Sequence, residues 1–255
     1  MGFIFYAGFL NPLFFKIKMS GHKNRSIKPS ISIIIPAYNE EKYILKTLNS
    51  LKKQSYKNFE TIVVANDCSD NTIKIAKGDC DLMIDTKIKG VCFARNLGAK
   101  KSKGEILIFL DADTRLSYLS LEKIEKVFSD KNYVIGTVKG KPNVNDWLCS
   151  LLYMYKNFVH KYKIHMGSSG IIICRKRIFK KTTGFEQEWS PKEIGRFIKK
   201  INKFGDYVYI DSIIATTSMR RFKKQNFLKA VFFWVNLQIS SLFTNLSKPE
   251  YKEVR

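Results

Sequence analysis

Three apolar runs, "ISIII" from Ile31, "ETIVVA" from Glu60 and "EILIFL" from Glu105, each stop at a polar cluster after five or six residues. Runs this short, rich in isoleucine and valine and closed by turn residues, read as strands buried on both faces. Helical periodicity fills the gaps between them. "NEEKYILKTLNSLKKQ" places Ile44, Leu45, Leu48 and Leu51 on one face with Asn39 as its cap, "NTIKIAK" is a short helix, and "VCFARNLGAKK" is a third. "DLMID" reads as an edge strand. Strands alternating with helices at this spacing predict an α/β fold, a doubly wound and mostly parallel sheet flanked by helices. The second half is less regular and predicts mixed pairing: a helix over "SLEKIEKVF", a strand at "YVIGTV", a helix over 146–163, a strand at "GIIIC", a helix after Pro191 and a strand at "YVYI".

In an open parallel sheet, ligands bind beyond the carboxyl ends of the strands. Three such ends are polar here: "PAYNEE" (36–41), "NDCSDNT" (66–72) and "DADTR" (111–115). Asp111 and Asp113 flank Ala112, and alternate residues of an extended segment point the same way, so both carboxylates could approach one hard divalent cation. One or two carboxylates plus substrate phosphates is the usual way in which magnesium is held.

Charge narrows the partners. The 255 residues carry 45 Lys and Arg against 22 Asp and Glu, a formal +23, which implies nucleic acid, an anionic lipid surface or phosphorylated substrates. Arginine–aromatic interleaving and a helix-turn-helix pattern are both missing, which favours phosphate and membrane over nucleic acid. Five cysteines without CxxC spacing imply neither a metal knuckle nor a disulfide framework, and they fit a reducing compartment.

The chain is 45% hydrophobic and long enough for one large domain, over residues 30–225. Residues 1–29 form an apolar segment with a basic linker. "MGFIFYAGFLNPLFF" is uncharged but shorter than the ~20 residues that span a bilayer, so it reads either as a membrane-dipping anchor with a basic collar or as an extension upstream of Met19. Residues 226–255 read as an apolar, amphipathic helix and a basic tail, suited to an interface or a core. Together these ends predict a peripheral or weakly anchored protein at the cytoplasmic face of a membrane.

"SIIIPAYNEEKYILKTLNSL", "ETIVVANDCSDNTIKIA", "GVCFARNLGAKKSKGEILIFLDADTRL" and "GFEQEWSPKEIGRF" occur in an order and spacing that resembles the family 2 glycosyltransferases, with their GT-A fold. The resemblance implies sugar transfer, with inversion, from a UDP- or GDP-linked donor. It implies manganese or magnesium as cofactor. A lipid-linked or membrane-proximal glycan is the expected acceptor. Residue by residue, it implies a nucleotide site at Pro36, Ala37, Tyr38 and Glu40, with Asp67 as a further contact and Asn66 standing where the family usually has an acid. Arg95 falls near the diphosphate. Asp111 and Ala112 face the nucleotide sugar, Asp113 with Asp111 holds the metal, and Arg220 and Arg221 resemble a basic loop over the diphosphate.

The expected base is Glu193, with Glu188 as the alternative and Glu186 also near in sequence. Lys192 stands where the family has the first acid of a pair. Ser190 and Glu193 also form the pattern of a capping box, a purely local role at a helix start. On that reading Glu193→Gln leaves stability unchanged. Two other functions compete: a non-catalytic domain that binds nucleotide sugars at the membrane, and a nucleotidyltransferase. The last would call for a Gly-rich loop, and "PAYNEE" has no glycine.

Overall fold

The computed structural model describes residues 15–19, 28–164, 166–186 and 193–220. In chain order the elements are β1 (Phe15–Met19), β2 (Ile31–Ala37), α1 (Ile44–Lys52), β3 (Phe59–Asn66), α2 (Thr72–Ala76), β4 (Leu82–Thr86), α3 (Val91–Lys101) and β5 (Ile106–Leu110). They continue with β6 (Thr114–Leu116), α4 (Ser120–Val127), β7 (Tyr133–Pro142), α5 (Trp147–Lys161), β8 (Ile171–Arg175), α6 (Lys176–Phe179), α7 (Glu193–Asn202) and β9 (Asp206–Thr217).

These strands form one sheet in the order β1-β4-β3-β2-β5-β8-β7-β9-β6. The four strands β4, β3, β2 and β5 run parallel. β2 and β3 are buried along their whole length, which is why their sequences are mostly apolar without alternation. Ile33 and Ile35 of β2 pack into the cluster on one face while Ile34 packs into that on the other. Beyond β5 the sheet is mixed: β8 is antiparallel to β5 and to β7, β9 is parallel to β7, and β6 is antiparallel to β9.

The order of the parallel strands positions the site. From β2 the chain steps outward to β3 and then β4, and it returns to the opposite side of β2 with β5. The direction reverses between β2 and β5, and a crevice opens where two such connections part. "PAYNEE" and "DADTR" are the segments that leave these two strands, so the switch point brings them together.

Several local expectations give way. β4 is not an edge, because β1 pairs with it antiparallel from inside the stretch read as a linker, covering an otherwise open row of backbone groups. α1 begins at Ile44 rather than after Asn39; Asn39 takes φ +53° and its side-chain oxygen accepts the Ser69 N–H instead of capping the helix. The buried face of α1 is Ile44, Thr47, Leu48 and Leu51, and Leu45 is exposed. β7 and β9 run well past "YVIGTV" and "YVYI", because they pair with each other over most of their length. β6 and α6 are elements that no periodicity announced. The anchor and tail readings of residues 1–14, 20–27 and 221–255 lie outside the described residues. Among the described residues no helix is long and apolar enough to cross a membrane.

α3 lies close against β2 and β3 because Gly98 faces them. A Cβ at this position would stand 2.4 Å from Ile34 Cγ2 and 3.3 Å from Val64 Cγ2. Gly98→Val overfills that contact, a change that costs about 1–3 kcal/mol, and the small helix-propensity difference between the two residues does not offset it. Thermal denaturation followed by circular dichroism should show a melting temperature lower by about 3 °C or more. An unchanged melting temperature would mean that α3 can shift away from the sheet at no cost.

Candidate active site

The segments at the switch point are tied together before any ligand is considered. Thr47 of α1 donates its hydroxyl to the Ala112 carbonyl at 2.7 Å, and the Glu40 and Glu41 N–H groups donate to Thr72 Oγ1 and Asp70 Oδ2 at 2.7 and 3.1 Å. Glu41 in turn accepts from Asn71, through both its backbone and its side-chain amide. Burial tends to raise the Asp70 carboxyl, but hydrogen bonds from Thr72 and Glu41 hold its pKa below the ordinary value. The loops after β2 and β3 are thus one hydrogen-bonded unit. Pro36 and Ala37 are buried within it, and Tyr38 is half-buried at its surface.

Asp111–Ala112–Asp113 is a turn, closed by the Thr114 N–H on the Asp111 carbonyl at 3.0 Å, so the alternation of an extended strand does not govern its side chains. The two carboxylates meet different arginines. Asp111 lies 3.4 Å from Arg95 Nη2, and Asp113 lies 3.5 Å from Arg220 Nε.

Arg95 is the more deeply placed of the two. It is 5% exposed, and its Nη1 donates to Glu193 Oε1 at 2.8 Å while its Nη2 faces Asp111. The guanidinium also lies 5.1 Å from the centre of the Phe185 ring. Burial opposes its charge, but Asp111 and Glu193 together raise its pKa above the ordinary value, so the cation is firmly held. This is not the surface ion pair that a lone helical arginine ordinarily makes.

Glu193 opens α7 and its side chain is turned into this site. Oε1 accepts from Arg95, and Oε2 accepts the Cys92 S–H at 2.8 Å. Ser190, Lys192 and the alternative base Glu188 lie outside the described residues, so the capping box itself does too. Both Glu193 oxygens nonetheless have partners in the site, and its charge balances a buried arginine. Glu193→Gln is therefore expected to lower stability, against the expectation of the capping reading. Glu186 is engaged elsewhere: its hydrogen bond from Lys200 and the nearby Arg196 hold its pKa below the ordinary value.

A ring cluster carries α7 to its place. Phe185 stacks on Phe197 of α7 at 3.8 Å and meets Phe109 of β5 edge-on at 4.9 Å. Asn96, next to Arg95, donates to the Phe185 carbonyl and accepts the Phe185 N–H. Gly184 takes φ +70° in this turn, and a Cβ there would stand 2.5 Å from Asn96 Oδ1, so a larger residue would be strained and would displace the Asn96 side chain. "RN" in α3 and "GF" before α7 are thereby one contact.

Arg220 closes the other side. It pairs with Glu40 and with Asp113, and its guanidinium lies 4.4 Å from the Tyr43 ring centre. A cavity of about 210 Å³ beside it is lined by Tyr43, Lys46, Thr47, Asp113, Arg115, Asn143 and Ser218. Arg221 lies outside the described residues. Asp67 stands apart from this cavity: it takes φ +60° after β3, donates its N–H to the Thr86 carbonyl and pairs with Lys89 at 3.4 Å. Asn66, in the place of the family's acid, is buried at the end of β3.

Sequence reasoning missed Cys92, Tyr43, Lys46 and the inward side of α5. Cys92 precedes Arg95 by three residues on α3, a spacing that puts both on one face and would have flagged it. Tyr153 and Lys156 of α5 gave no such signal. Burial pushes the Tyr153 hydroxyl up to about 12, and burial lowers the Lys156 ammonium to about 8 against the opposing pull of Asp111.

Among the described residues no three His, Cys, Asp or Glu side chains are grouped to hold a metal. The donor set suits a cation only in part. Asp113 and Asp111 supply hard oxygens at the mouth of the crevice, and a substrate would have to supply further ligands, as diphosphates do for magnesium.

A parallel half-sheet with a switch point, an acidic turn beyond its fourth strand and an acid-bearing helix beside it form the crevice in which open α/β sheets bind ligands. The chain belongs to glycosyl transferase family 2, whose model matches residues 32–183. It is 37% identical over 87 residues, 32% of this chain, to the Escherichia coli UDP-Glc:alpha-D-GlcNAc-diphosphoundecaprenol beta-1,3-glucosyltransferase WfgD. Its fold matches that of Staphylococcus aureus TarS solved with UDP-GlcNAc, with a TM-score of 0.61 and 23% identity over 74% of this chain. It also matches the mannosyltransferase PcManGT of Pyrobaculum calidifontis solved with GDP-Man and Mn2+, with a TM-score of 0.63 and 16% identity over 75% of this chain. The chain corresponds to only part of each: 34% of WfgD, 58% of the TarS fragment and 57% of the mannosyltransferase.

Burial first, and the Glu193 charge second, push the Cys92 thiol up to about 12. Its unfolded value is near 9.0, so the unfolded chain loses this proton first. Stability contributed by the protonated thiol is complete below that value and is lost as pH rises through the folded one. Cys92→Ala should therefore flatten the decline in melting temperature between about pH 9 and about pH 11. Parallel profiles for the two proteins would show that the thiol is not held in this way.

Proposed function

We propose that the protein is a metal-dependent glycosyltransferase that moves a sugar, with inversion, from a UDP- or GDP-linked donor to a lipid-linked or membrane-proximal glycan. The observation that carries this reading is Arg95, buried between Asp111 and Glu193. Family 2 membership supports the reaction class, and the UDP-GlcNAc and GDP-Man seen in the two neighbouring structures support the donor class. The diphosphoundecaprenol acceptor of WfgD supports a lipid-linked acceptor, and the +23 charge suits the anionic, cytoplasmic face of a membrane.

In this reading Pro36, Ala37, Tyr38, Glu40 and Asp67 receive the nucleotide at the ends of β2 and β3. Asp111 and Ala112 face the sugar. Asp113, with Asp111, would hold a manganese or magnesium ion. When bound, that cation neutralises charge on the leaving diphosphate. Negative charge grows there as the anomeric bond breaks; Lys46 and Arg115 line the cavity where it would develop, and Arg220 is paired with Asp113 of its wall. That cavity is smaller than the roughly 300–1,000 Å³ of whole-ligand pockets, so it suits phosphates rather than a complete nucleotide sugar. Arg221 would extend the same basic loop.

Glu193 takes the proton of the acceptor hydroxyl. Arg95 and the Cys92 thiol fix its two oxygens, so the carboxylate is oriented before the acceptor arrives. Attack from the side opposite the leaving diphosphate inverts the anomeric centre.

A screen of UDP- and GDP-sugars with manganese or magnesium, with and without a membrane extract, should reveal transfer or slow donor hydrolysis. No turnover, together with no nucleotide binding by calorimetry, would sink the proposal. Asp113→Asn should abolish turnover. Glu193→Gln should lower kcat by about 100-fold or more while nucleotide affinity holds. If transfer survives within a few-fold, the base lies elsewhere and Glu188 is the next residue to change.

A further inference from the structure

The helix α5 has two apolar faces, and only one of them is packed. Cys149, Leu152, Tyr153, Val159 and His160 are buried. Trp147, Leu151, Met154, Tyr155, Phe158 and, one residue past the helix, Tyr162 are all exposed, with Trp147 at 72%, Met154 at 64% and Phe158 at 54%. At 3.6 residues per turn these six fall within a stripe of roughly 100° on the outward side. A continuous row of large apolar side chains facing water marks a surface that something covers.

Its chemistry identifies the cover. The row is made of tryptophan, tyrosine, phenylalanine, leucine and methionine, the composition of the apolar face of a helix that lies along a headgroup boundary. At the end of α5, Lys161 and Lys163 are exposed, and Lys161 pairs with the exposed Asp211 at 3.1 Å. Lys139 and Lys141 are exposed on β7, which α5 joins through paired hydrogen bonds between Asn157 and Gly140. Lysines beside an apolar stripe, in a chain of net +23, complement anionic lipid and repel a second copy of the chain.

The opposite side of the same helix reaches the site. Tyr153 bonds to Thr217 and senses the charges of Asp113 and Asp111, and Lys156 lies 4.9 Å over the Tyr153 ring. α5 therefore separates the crevice from whatever the stripe touches by the thickness of one helix, about 10 Å.

We propose that the outward face of α5 is the surface by which the protein lies on an anionic bilayer, with Trp147, Met154 and Phe158 inserted at the headgroup boundary. The inference rests on the reading of the acceptor as membrane-bound, and it places the crevice beside the surface from which such an acceptor would be presented.

The full chain is tested by co-sedimentation with vesicles of phosphatidylglycerol and phosphatidylcholine. Replacing Trp147, Met154 and Phe158 together by serine should lower the vesicle partition coefficient by about ten-fold or more, through loss of apolar contact area. Melting temperature and nucleotide binding should stay as in the unaltered protein. Independently, in a Trp189→Phe/Trp234→Phe background, the fluorescence of Trp147 should be quenched by brominated phospholipid. Unchanged vesicle binding of the triple variant, or an unquenched Trp147 in vesicle-bound protein, overturns the proposal. So does a triple variant that only turns a dimer into a monomer in sedimentation velocity. If α5 binds vesicles but no nucleotide sugar is bound or turned over, the docking surface stands and the proposed function falls. If donor turnover proceeds and α5 does not bind lipid, the reverse holds.

Discussion

Arg95 is a buried cation whose two carboxylate partners come from different parts of the chain, Asp111 after β5 and Glu193 at the start of α7. A guanidinium that is 5% exposed is tolerated only when such partners are present, because taking it out of water without them costs several kcal/mol. The ion pairs therefore do more than hold a side chain. They require β5, α3 and α7 to meet at one point, and that point is the crevice.

The rest of the architecture serves this meeting. The reversal of strand order between β2 and β5 opens the crevice, and Gly98 lets α3 approach the sheet closely enough for Arg95 to reach over the end of β5. The Phe109, Phe185 and Phe197 cluster holds α7 against the same strand, and Asn96 fixes the turn that leads to it. Arg220 makes a second, shallower link on the other side of the acidic turn, joining Glu40 to Asp113. The two arginines divide the two aspartates between them. Between them the two arginines meet four carboxylates, Asp111 and Glu193 for Arg95 and Glu40 and Asp113 for Arg220, an excess of negative charge that a cation arriving with a diphosphate would offset under the proposed function.

The parallel half was readable residue by residue because its strands are buried on both faces. "ISIII", "ETIVVA" and "EILIFL" are dominated by large apolar side chains, the buried Ser32 and Glu60 near their starts being bonded to each other, and the loops after them stand out by contrast. β7 and β9 were only half visible, because "KGKP" and "DS" read as turn residues in sequence, and the pairing of the two strands shifts register at that point. Asn39 misled as a cap because the same side chain serves equally well in a left-handed turn, and the Ser69 N–H decided between them. Leu45 lies one helical step from the buried face of α1, too fine a distinction for periodicity to make.

What the amino-acid sequence determined by itself is the set of chemical groups and the elements that carry them: acids and a tyrosine beyond buried strands, an arginine on a helix, a glutamate at a helix start. These are local properties, set by burial and by backbone preference within a few residues. Which of those groups meet was decided by tertiary structure alone. Cys92 and Glu193 are 101 residues apart, and Glu40 and Arg220 are 180 apart. No periodicity spans such separations, and only the crossing of strand order and the packing of α3, α5 and α7 on the sheet bring them within hydrogen-bonding reach.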